Sequence, residues 1–376
     1  MASSANSIDI ATSSSLGWLA VSACAFVISA ICTNLGIAYA HRRGLLDAPG
    51  QRRSHQIPTP RGGGIGIVAG MLVVVAFAAA VVTGAIRPLA LGVGAAVVLV
   101  AAVGWIDDHG GLSARTRFAA HCIAAVIVFT AIAAVLGLLG DESRGAQRLL
   151  FSLATLVPAI AIVWSINLHN FMDGIDGLLG WQAVFVLAAL GLLCARAGHP
   201  GQAGCILALA ASVAGFLPFN FPHARIFMGD VGSGVVGLMI AIVVLWQMTT
   251  PGIAVASGVA LCSAFVTDAT CTLLSRMWQR RHWYNAHREH LYQWLVRRGY
   301  SHPKVVAMYM GWNLLIVLPV VAWMNRMAPA TVSTANTTAQ GLAAAGSVYA
   351  IGFVVWFTAK RACLRGLRRE GRRAST

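Results

Sequence analysis

The chain has 376 residues, of which 58% are hydrophobic and only 10% are charged, and its formal net charge is +15. A soluble domain carries about 25% charged residues, so this composition excludes an ordinary globular protein and indicates a polytopic integral membrane protein. The eight cysteines show no C-x-x-C spacing, so neither a disulfide framework nor a structural zinc site is predicted.

Eleven apolar runs are long enough to cross a bilayer, and they are too long for barrel strands. They cover 16–40, 65–84, 86–105, 116–139, 149–166, 178–195, 202–219, 232–249, 252–275, 305–323 and 341–358. The first fifteen residues contain no Lys or Arg, unlike a cleaved signal peptide. We therefore predict an all-α fold with about 10–11 transmembrane helices in a single domain over residues 1–376.

The basic residues predict how these helices are oriented. If the N-terminus is outside, the connections and tail on the inner side hold 22 of the 27 Lys and Arg residues. Short loops rich in Lys and Arg stay on the cytoplasmic side. The pattern therefore predicts a periplasmic N-terminus and a cytoplasmic C-terminus, with the polar loops on the cytoplasmic face.

Seven of the twelve acidic residues fall at or beside the inner ends of predicted spans. They are Asp107, Asp108, Asp173, Asp176, Asp230, Asp268 and Glu289. Acids in or beside the membrane are costly, so they indicate function by default. Pairing with the basic loops is the structural alternative, and it is as good an explanation for Asp268 or Glu289 taken alone. The one-sided distribution predicts a single site built from several loops.

The stretch "GWIDDHGGLSARTRF" places Asp107 and Asp108 side by side. Neighbouring carboxylates repel each other unless a cation lies between them. The pair therefore suits a Mg²⁺ site, or one base beside one metal ligand. Arg115 and Arg117 follow closely and are candidates for holding an anion.

The stretch "NLHNFMDGIDGLLG" spaces Asn167, Asn170, Asp173 and Asp176 three residues apart. On a helix these residues would lie along one inclined face. Carboxylate and amide oxygens are the hard ligands that Mg²⁺ accepts, usually with phosphate oxygens completing the shell. The D-x-D-x-D-G frame of an EF-hand is absent.

In "FNFPHARIFMGDVGSGVVG", Asp230 opens a predicted span between two glycines. Backbone amides at a helix start attract phosphate, and Phe227 is placed to stack on a planar ring. Two basic segments complete the set. The segment 52–66 carries Arg61 beside a run of glycines, and 275–302 carries six arginines and four histidines, which suit phosphate better than zinc.

An acidic metal cradle with a basic rim at the inner membrane face predicts phosphoryl-type transfer to a membrane lipid. In this order, "GWIDD", "NxxNFMDGIDGL", "FxGDxGS" and a late basic loop with histidines resemble the polyprenyl-phosphate N-acetylhexosamine-1-phosphate transferase family over roughly residues 16–323. The loop "AHREHLYQ" is most similar to the branch that initiates O-antigen synthesis. It differs from the histidine clusters of the muramoyl-pentapeptide transferases, which argues against a peptidoglycan role.

The resemblance implies a role for individual residues. The implied catalytic residues are Asp107, its partner Asp108, and Asp173, and Asp107 resembles the base for the lipid phosphate. The implied metal ligands are Asp230 and Asp173. Substrate binding falls to Asn167, Asn170, Gly174, Ile175, Asp176, Phe227, His287, Arg288, His290 and Arg61. Asp268 matches an acid in the ninth span. The last helix and basic tail, 341–376, lie beyond the resemblance.

The implied reaction transfers a sugar 1-phosphate from a UDP-sugar to undecaprenyl phosphate and releases UMP, with Mg²⁺ as cofactor and Mn²⁺ as an alternative. It would start O-antigen or a related cell-envelope polysaccharide in the bacterial inner membrane, without a nucleic-acid partner. A homodimer, the identity of the sugar, and a covalent two-step mechanism stay open. The alternatives are a peptidoglycan role and, in another class, a membrane transporter, which would place its polar groups near mid-membrane.

Overall fold

A computed structural model describes residues 15–47, 58–81, 87–136, 138, 145–280, 288–327 and 335–373. Its first eight helices are α1 (Ser15–Arg43), α2 (Gly64–Val81), α3 (Arg87–Gly110), α4 (Ala114–Val135), α5 (Gly145–Met172), α6 (Leu178–Arg196), α7 (Pro200–Asn220) and α8 (Gly229–Met248). The remaining helices are α9 (Ser257–Leu261), α10 (Ser263–Trp278), α11 (Leu291–Arg297), α12 (His302–Trp312), α13 (Leu318–Met327) and α14 (Ala335–Arg373), with a π-helical segment, Asn313–Val317, between α12 and α13.

The prediction of an all-α polytopic membrane protein is confirmed. Within the described ranges, ten helical stretches are long and apolar enough to cross a membrane, and α12, the π-helical segment and α13 together form one of them. Among the described residues, the predicted span 252–275 departs from this pattern, because it is divided into α9 and α10. Gly252 has a positive φ of 74° after Pro251, and Gln247 Oε1 accepts a hydrogen bond from Gly258 N at 3.0 Å. These contacts hold 251–256 in turns, so the helix begins later than the apolar run.

Small residues allow the helices to approach closely, as is usual where lipid gives no hydrophobic driving force between them. A Cβ on Gly70 would lie 2.7 Å from the carbonyl oxygen of Ala25, so α2 packs directly against α1. On α8, a Cβ on Gly237 would lie 2.6 Å from the carbonyl oxygen of Ser165 in α5. Helix α8 is the most enclosed of the long helices and lies at the centre of the bundle.

The polar loops meet at one end of the bundle, which we call the polar end. It contains the C-terminal ends of α3 and α5, the N-terminal ends of α4, α6 and α8, and a short antiparallel pair of strands, β1 (Leu46–Asp47) and β2 (Thr59–Pro60). Helix α4 starts there with Ser113 as its N-cap, whose hydroxyl accepts from Thr116 N at 3.1 Å. All seven acids singled out from the sequence lie at this end or on the helices that lead into it.

Candidate active site

Three charged side chains from three helices meet at the centre of the polar end. Arg117, in the first turn of α4, places Nη1 2.7 Å from Oδ2 of Asp107 and 2.9 Å from Oδ2 of Asp230. The other oxygen of Asp107 accepts a hydrogen bond from the backbone N–H of Leu112. One guanidinium therefore joins the end of α3 to the start of α8 and neutralises part of the charge of both carboxylates.

Asp108 points away from Asp107 and has different partners, because successive residues on a helix are about 100° apart. Its carboxylate accepts hydrogen bonds from the backbone N–H groups of Asp230, at 3.1 Å, and Val231, at 3.2 Å. Arg61 Nε lies 3.9 Å from it. The first amides of α8 were expected to attract substrate phosphate; that expectation is wrong for these two, because the carboxylate of Asp108 already occupies them.

The stretch that begins at Asn167 does not form a single helical face. Helix α5 ends at Met172, so Asn167 and Asn170 lie on the helix while Asp173 and Asp176 lie in the turn that follows. Helix α6 begins only after Gly177, whose φ of 75° is accessible to glycine at little cost. The prediction of one inclined face is therefore wrong for the two aspartates, because this glycine-containing turn redirects the chain.

The asparagines connect the end of α5 with its neighbours. Asn170 Nδ2 donates to Ser233 Oγ at 3.1 Å on α8, three residues after Asp230, and the amide of Asn170 stabilises the charged form of Asp230. Asn167 Nδ2 donates to the carbonyl oxygen of Val163 at 2.7 Å and lies 3.2 Å from His121 Nδ1 on α4. Asn170 thus belongs to the acidic cluster, and Asn167 lies on the side that faces α4.

Asp173 carries the clearest electrostatic sign of function. Burial, followed by the negative charges of Asp230 and Asp108, raises the pKa of its carboxyl to about 8, against a lowering effect of Arg61. Three acids share this region with few cations, so the charged form of Asp173 is disfavoured. Strongly perturbed groups in such surroundings are typical of functional sites.

Asp176 has partners from two other segments. Its Oδ2 accepts from the backbone N–H of Ala224 at 3.2 Å and lies 3.1 Å from Nδ1 of His302 at the start of α12. Gly177 N donates to Asn220 Oδ1 at 2.8 Å. The predicted contact of Asp176 with uridine stays a prediction; the observed contacts fix the turn 173–177 in place. Gly174 and Ile175 lie in the same turn.

Backbone hydrogen bonds attach the segment before α2 to the segment that carries Phe227. Phe227 N donates to the carbonyl oxygen of Pro60 at 2.8 Å, and Gly63 N donates to the carbonyl oxygen of Phe227 at 2.9 Å. This pairing brings Arg61 beside Asp108. It also fixes the backbone of Phe227, which lies just before the start of α8 at Gly229. The half-buried ring of Phe227 is thus at the polar end, where its predicted role in stacking on a base stays untested.

Within the basic segment 275–302, residues 281–287 lie outside the described residues, and His287, a predicted substrate contact, is among them. Glu289 accepts from Arg276 Nη1 at 2.7 Å. His290 is only 2% exposed, and its ring stacks between those of Phe171 and Tyr292. Burial lowers the pKa of His290, so its ring favours the neutral form. This position favours a packing role for His290 over the phosphate contact predicted from the sequence.

An apolar groove of about 910 Å³ runs along α4 and α5 and reaches Phe118 and Asn167 near the polar end. Its walls include Phe118, Cys122, Val126 and Phe129 of α4, Phe151, Leu156, Ile160, Val163 and Trp164 of α5, and Leu273 of α10. Asn167 and Phe171 line its end at the polar face, close to His121. Its volume and apolar walls suit part of a hydrocarbon chain. Sequence patterns do not predict this groove, because its walls are ordinary membrane-helix residues.

The acidic cluster has the donor chemistry of an open magnesium site. Within the described ranges, no three His, Cys, Asp or Glu side chains are arranged to hold a metal ion. Mg²⁺ usually takes only one or two carboxylates from a protein and completes its shell with water and substrate phosphate. The negative charge of Asp230 disfavours ionisation of Asp173, and a divalent cation would relieve this repulsion. The residues therefore fit Mg²⁺ as a pair of ligands rather than as a closed cage.

Sequence comparisons agree with this arrangement. The sequence model of glycosyl transferase family 4 matches residues 90–248. The chain is 31% identical to the decaprenyl-phosphate N-acetylglucosaminephosphotransferase of Mycobacterium leprae over 326 residues, which cover 77% of this chain and 79% of the relative. It is 28% identical to a probable undecaprenyl-phosphate N-acetylglucosaminyl 1-phosphate transferase of Bacillus subtilis, covering 74% and 78%. It is 25% identical to the undecaprenyl-phosphate alpha-N-acetylglucosaminyl 1-phosphate transferase of Escherichia coli, covering 77% and 80%.

Proposed function

The chain belongs to glycosyl transferase family 4, the polyprenyl-phosphate N-acetylhexosamine-1-phosphate transferases, and from this we propose that it transfers a sugar 1-phosphate from a UDP-sugar to undecaprenyl phosphate. The products are undecaprenyl-diphosphate-sugar and UMP. The sugar is of the N-acetylhexosamine type, with N-acetylglucosamine favoured by the relatives' names. Resemblance of the late basic loop favours the start of O-antigen synthesis as the pathway, in a bacterial inner membrane with the polar end facing the cytoplasm.

The observation that carries this proposal is that the apolar groove reaches Phe118, which follows Arg117 on α4, and Asn167, which lies about one turn before Asn170 on α5. Undecaprenyl phosphate has a long hydrocarbon chain and one charged end, so its binding site needs apolar walls and a polar terminus. The walls are supplied by α4 and α5, and Asn167 lies at their polar end. Arg117 lies on α4 one turn before His121, so the same helix supplies both the groove wall and a cation that faces Asp107 and Asp230.

The proposed chemistry is a single displacement at phosphorus. An oxygen of the lipid phosphate attacks the β-phosphorus of the UDP-sugar, and the bond from that phosphorus to the bridging oxygen breaks. The electron pair leaves with UMP, and the new bond forms the lipid diphosphate. A phosphate monoester has a second pKa of about 6, so a nearby base can complete its deprotonation at neutral pH. Asp107 is the proposed base.

The remaining polar residues position and neutralise the reactants. Arg117 can move its two donors from Asp107 and Asp230 to substrate oxygens as negative charge develops on phosphorus. Asp230 and Asp173 are the proposed ligands of Mg²⁺, which when bound would polarise the diphosphate and stabilise the leaving UMP. Phe227, Asp176 and Arg288 are the proposed contacts for the nucleotide and sugar.

A direct assay tests the proposal. The purified full chain is incubated in lipid nanodiscs with undecaprenyl phosphate, Mg²⁺ and a panel of radiolabelled UDP-N-acetylhexosamines. We expect lipid-extractable label and an equal amount of UMP with at least one sugar, both of which disappear when the lipid phosphate is omitted. Label that stays on the protein when lipid phosphate is absent would replace the one-step mechanism with a covalent one. Absence of lipid-linked label with every donor would overturn the proposed function.

A further inference from the structure

A second buried acid, Asp268 on α10, lies outside the acidic cluster and has an unusually complete set of partners. It is only 2% exposed. Its carboxylate accepts hydrogen bonds from Leu291 N at 2.7 Å, Tyr309 Oη at 2.7 Å, Trp356 Nε1 at 3.0 Å, Thr272 Oγ1 at 3.3 Å and Tyr292 N at 3.4 Å. A carboxylate offers about four lone-pair sites, so these donors use its capacity fully. Asp268 therefore has no lone pair free for a substrate.

These five donors come from four different helices. Thr272 belongs to α10, Leu291 and Tyr292 to the start of α11, Tyr309 to α12 and Trp356 to α14. Hydrogen bonds to an ionised group are shorter and roughly twice as strong as neutral ones, and a fully satisfied buried network is rigid. Asp268 thus joins the last helix of the described chain to the segment that follows Arg288.

The same segment contacts the acidic cluster through Tyr292. Its hydroxyl donates to the carbonyl oxygen of Phe171 at 3.0 Å, near the end of α5. The ring also fills the space next to Gly174, where any Cβ would overlap the hydroxyl. Burial, followed by the charges of Asp268 and Asp173, raises the pKa of Tyr292 above its usual range, so the hydroxyl stays protonated and keeps donating.

The contacts therefore form a continuous series from the last helix to the turn that carries Asp173. Trp356 bonds Asp268, Asp268 bonds the backbone of Tyr292, and Tyr292 bonds the end of α5. A second attachment joins α14 to α11 nearer the C-terminus, where a Cβ on Gly366 would lie 2.5 Å from Nη1 of Arg298. No part of α14 falls within the region matched by the family's sequence model.

We propose that Asp268 and Trp356 are positioning residues, through which the last helix holds the basic segment from Arg288 and the turn 173–177 in the relative placement that donor binding requires. This inference rests on the proposed function for its kinetic part only. The basic segment and the turn supply the proposed contacts to the two ends of the UDP-sugar. Loosening the network therefore weakens donor binding, whereas the walls of the lipid groove on α4 and on most of α5 lie outside the network.

Hydrogen–deuterium exchange tests the physical part without any substrate. Trp356→Phe removes the indole donor and keeps an aromatic ring in place. The matched control is Trp312→Phe, which removes an indole donor to Ser263 Oγ, 3.3 Å away, in the same group of helices. We expect exchange in peptides covering 288–297 to be about tenfold faster in Trp356→Phe, as for loss of one hydrogen bond to a charged group, and unchanged in the control. Equal exchange in the two variants would overturn the proposal.

Kinetics on the full chain in nanodiscs test the consequence for function. For Trp356→Phe we expect the KM for the UDP-sugar to rise about tenfold, with kcat and the KM for undecaprenyl phosphate within about twofold of the wild type. Tyr292→Phe should have the same signature. The double variant should have nearly the same KM for the UDP-sugar as either single variant, since both substitutions interrupt one series of contacts. A fall in kcat at unchanged donor KM, or full additivity, would contradict the inference.

The two proposals fail in distinguishable ways. If the wild-type chain transfers no sugar phosphate, the proposed function is wrong, and the exchange experiment still decides whether Trp356 holds residues 288–297 in place. Normal transfer with unchanged exchange in Trp356→Phe would remove the positioning role alone. Asp268→Asn serves as a second variant, because it keeps the side-chain volume and one acceptor oxygen; it should accelerate exchange over 288–297 at least as much as Trp356→Phe.

Discussion

Arg117 and Asp230 lie 113 residues apart in the sequence, yet Nη1 of one is 2.9 Å from Oδ2 of the other, and the same nitrogen is 2.7 Å from Asp107. A single cation thus lies between the proposed base and a proposed metal ligand. We infer that Arg117 compensates the negative charge of the carboxylates before substrate binds and the negative charge of the substrate diphosphate afterwards.

Replacing Arg117 should therefore be costly for turnover. In Arg117→Ala we expect kcat to fall at least about 100-fold, the range seen when a preorganised electrostatic donor is removed. Arg115→Ala is the control, because Arg115 is exposed two residues earlier on the same helix. Steady-state rates of UMP release measure both. Similar losses in the two variants would show that general positive charge, and not the contact with Asp107 and Asp230, is what matters.

Asp230→Asn should abolish turnover without unfolding the protein. Its side chain is partly exposed, and its backbone N–H, which bonds Asp108, is unaffected by the change. We expect kcat to fall at least about 1,000-fold and Tm to shift by only a few degrees, as is usual for substitutions away from a packed core. Wild-type rates in saturating Mg²⁺ would remove Asp230 from the metal role.

Replacing Asp108 should lower the thermal stability of the protein more than replacing Asp230 does. Its carboxylate accepts two backbone hydrogen bonds in a buried position, and Asn can accept only one of them without turning an N–H group toward a donor. Leaving a buried donor unsatisfied costs about 1–3 kcal/mol. Thermal unfolding of Asp108→Asn in detergent should therefore give a Tm clearly below that of Asp230→Asn. The reverse order would show that capping of α8 by Asp108 contributes little.

Gly177 offers a test of the turn that carries Asp173. Alanine there must adopt a φ of 75° and would also overlap the ring of Phe221. Gly198 is the matched control, because its φ is 84° and nothing lies within 4 Å of its Cβ position. Both alanines would carry the strain of a positive φ, about 1–3 kcal/mol. Only Gly177→Ala would also displace the ring of Phe221. We expect lower kcat/KM for Gly177→Ala alone; equal activities would mean the turn tolerates the shift.

The groove can be blocked by one side chain. Ala159 lines it, whereas Ala154 on the same helix is exposed and does not. We expect Ala159→Trp to raise the KM for undecaprenyl phosphate about tenfold or more and to spare a short prenyl phosphate, since overpacking excludes the long chain. Ala154→Trp should change neither value. Equal effects on short and long acceptors would place the lipid chain elsewhere.

Much of this arrangement could be predicted from the sequence, because the membrane makes acids expensive and their placement therefore informative. The order of "GWIDD", "NxxNFMDGIDGL" and "FxGDxGS" was enough to bring Asp107, Asn170 and Asp230 to one end of the bundle. The direction in which each side chain points at that end could not be predicted. Asp107 and Asp108 have different partners because of how α3 is rotated against α8, and no local sequence pattern determines that rotation.

Other features depended on residues whose local sequence is unremarkable. The break between α9 and α10 comes from turns held by Gln247 and by a glycine at positive φ, inside a run that is apolar enough to continue as one helix. Trp356 lies within the last apolar run, and nothing near it in sequence points to Asp268, 88 residues away. Such pairings are set by helix packing, so only the folded arrangement reveals them.

The cap that Asp108 places on α8 also orders events during synthesis. The acceptor on α3 and its two donors on α8 are separated by 122 and 123 residues. A nascent chain that has inserted its first seven helices therefore carries a carboxylate with neither amide partner and an Arg117 that can reach Asp107 but not Asp230. Entry of the eighth helix satisfies both groups in one step, so the acidic cluster is completed only once α8 has been inserted.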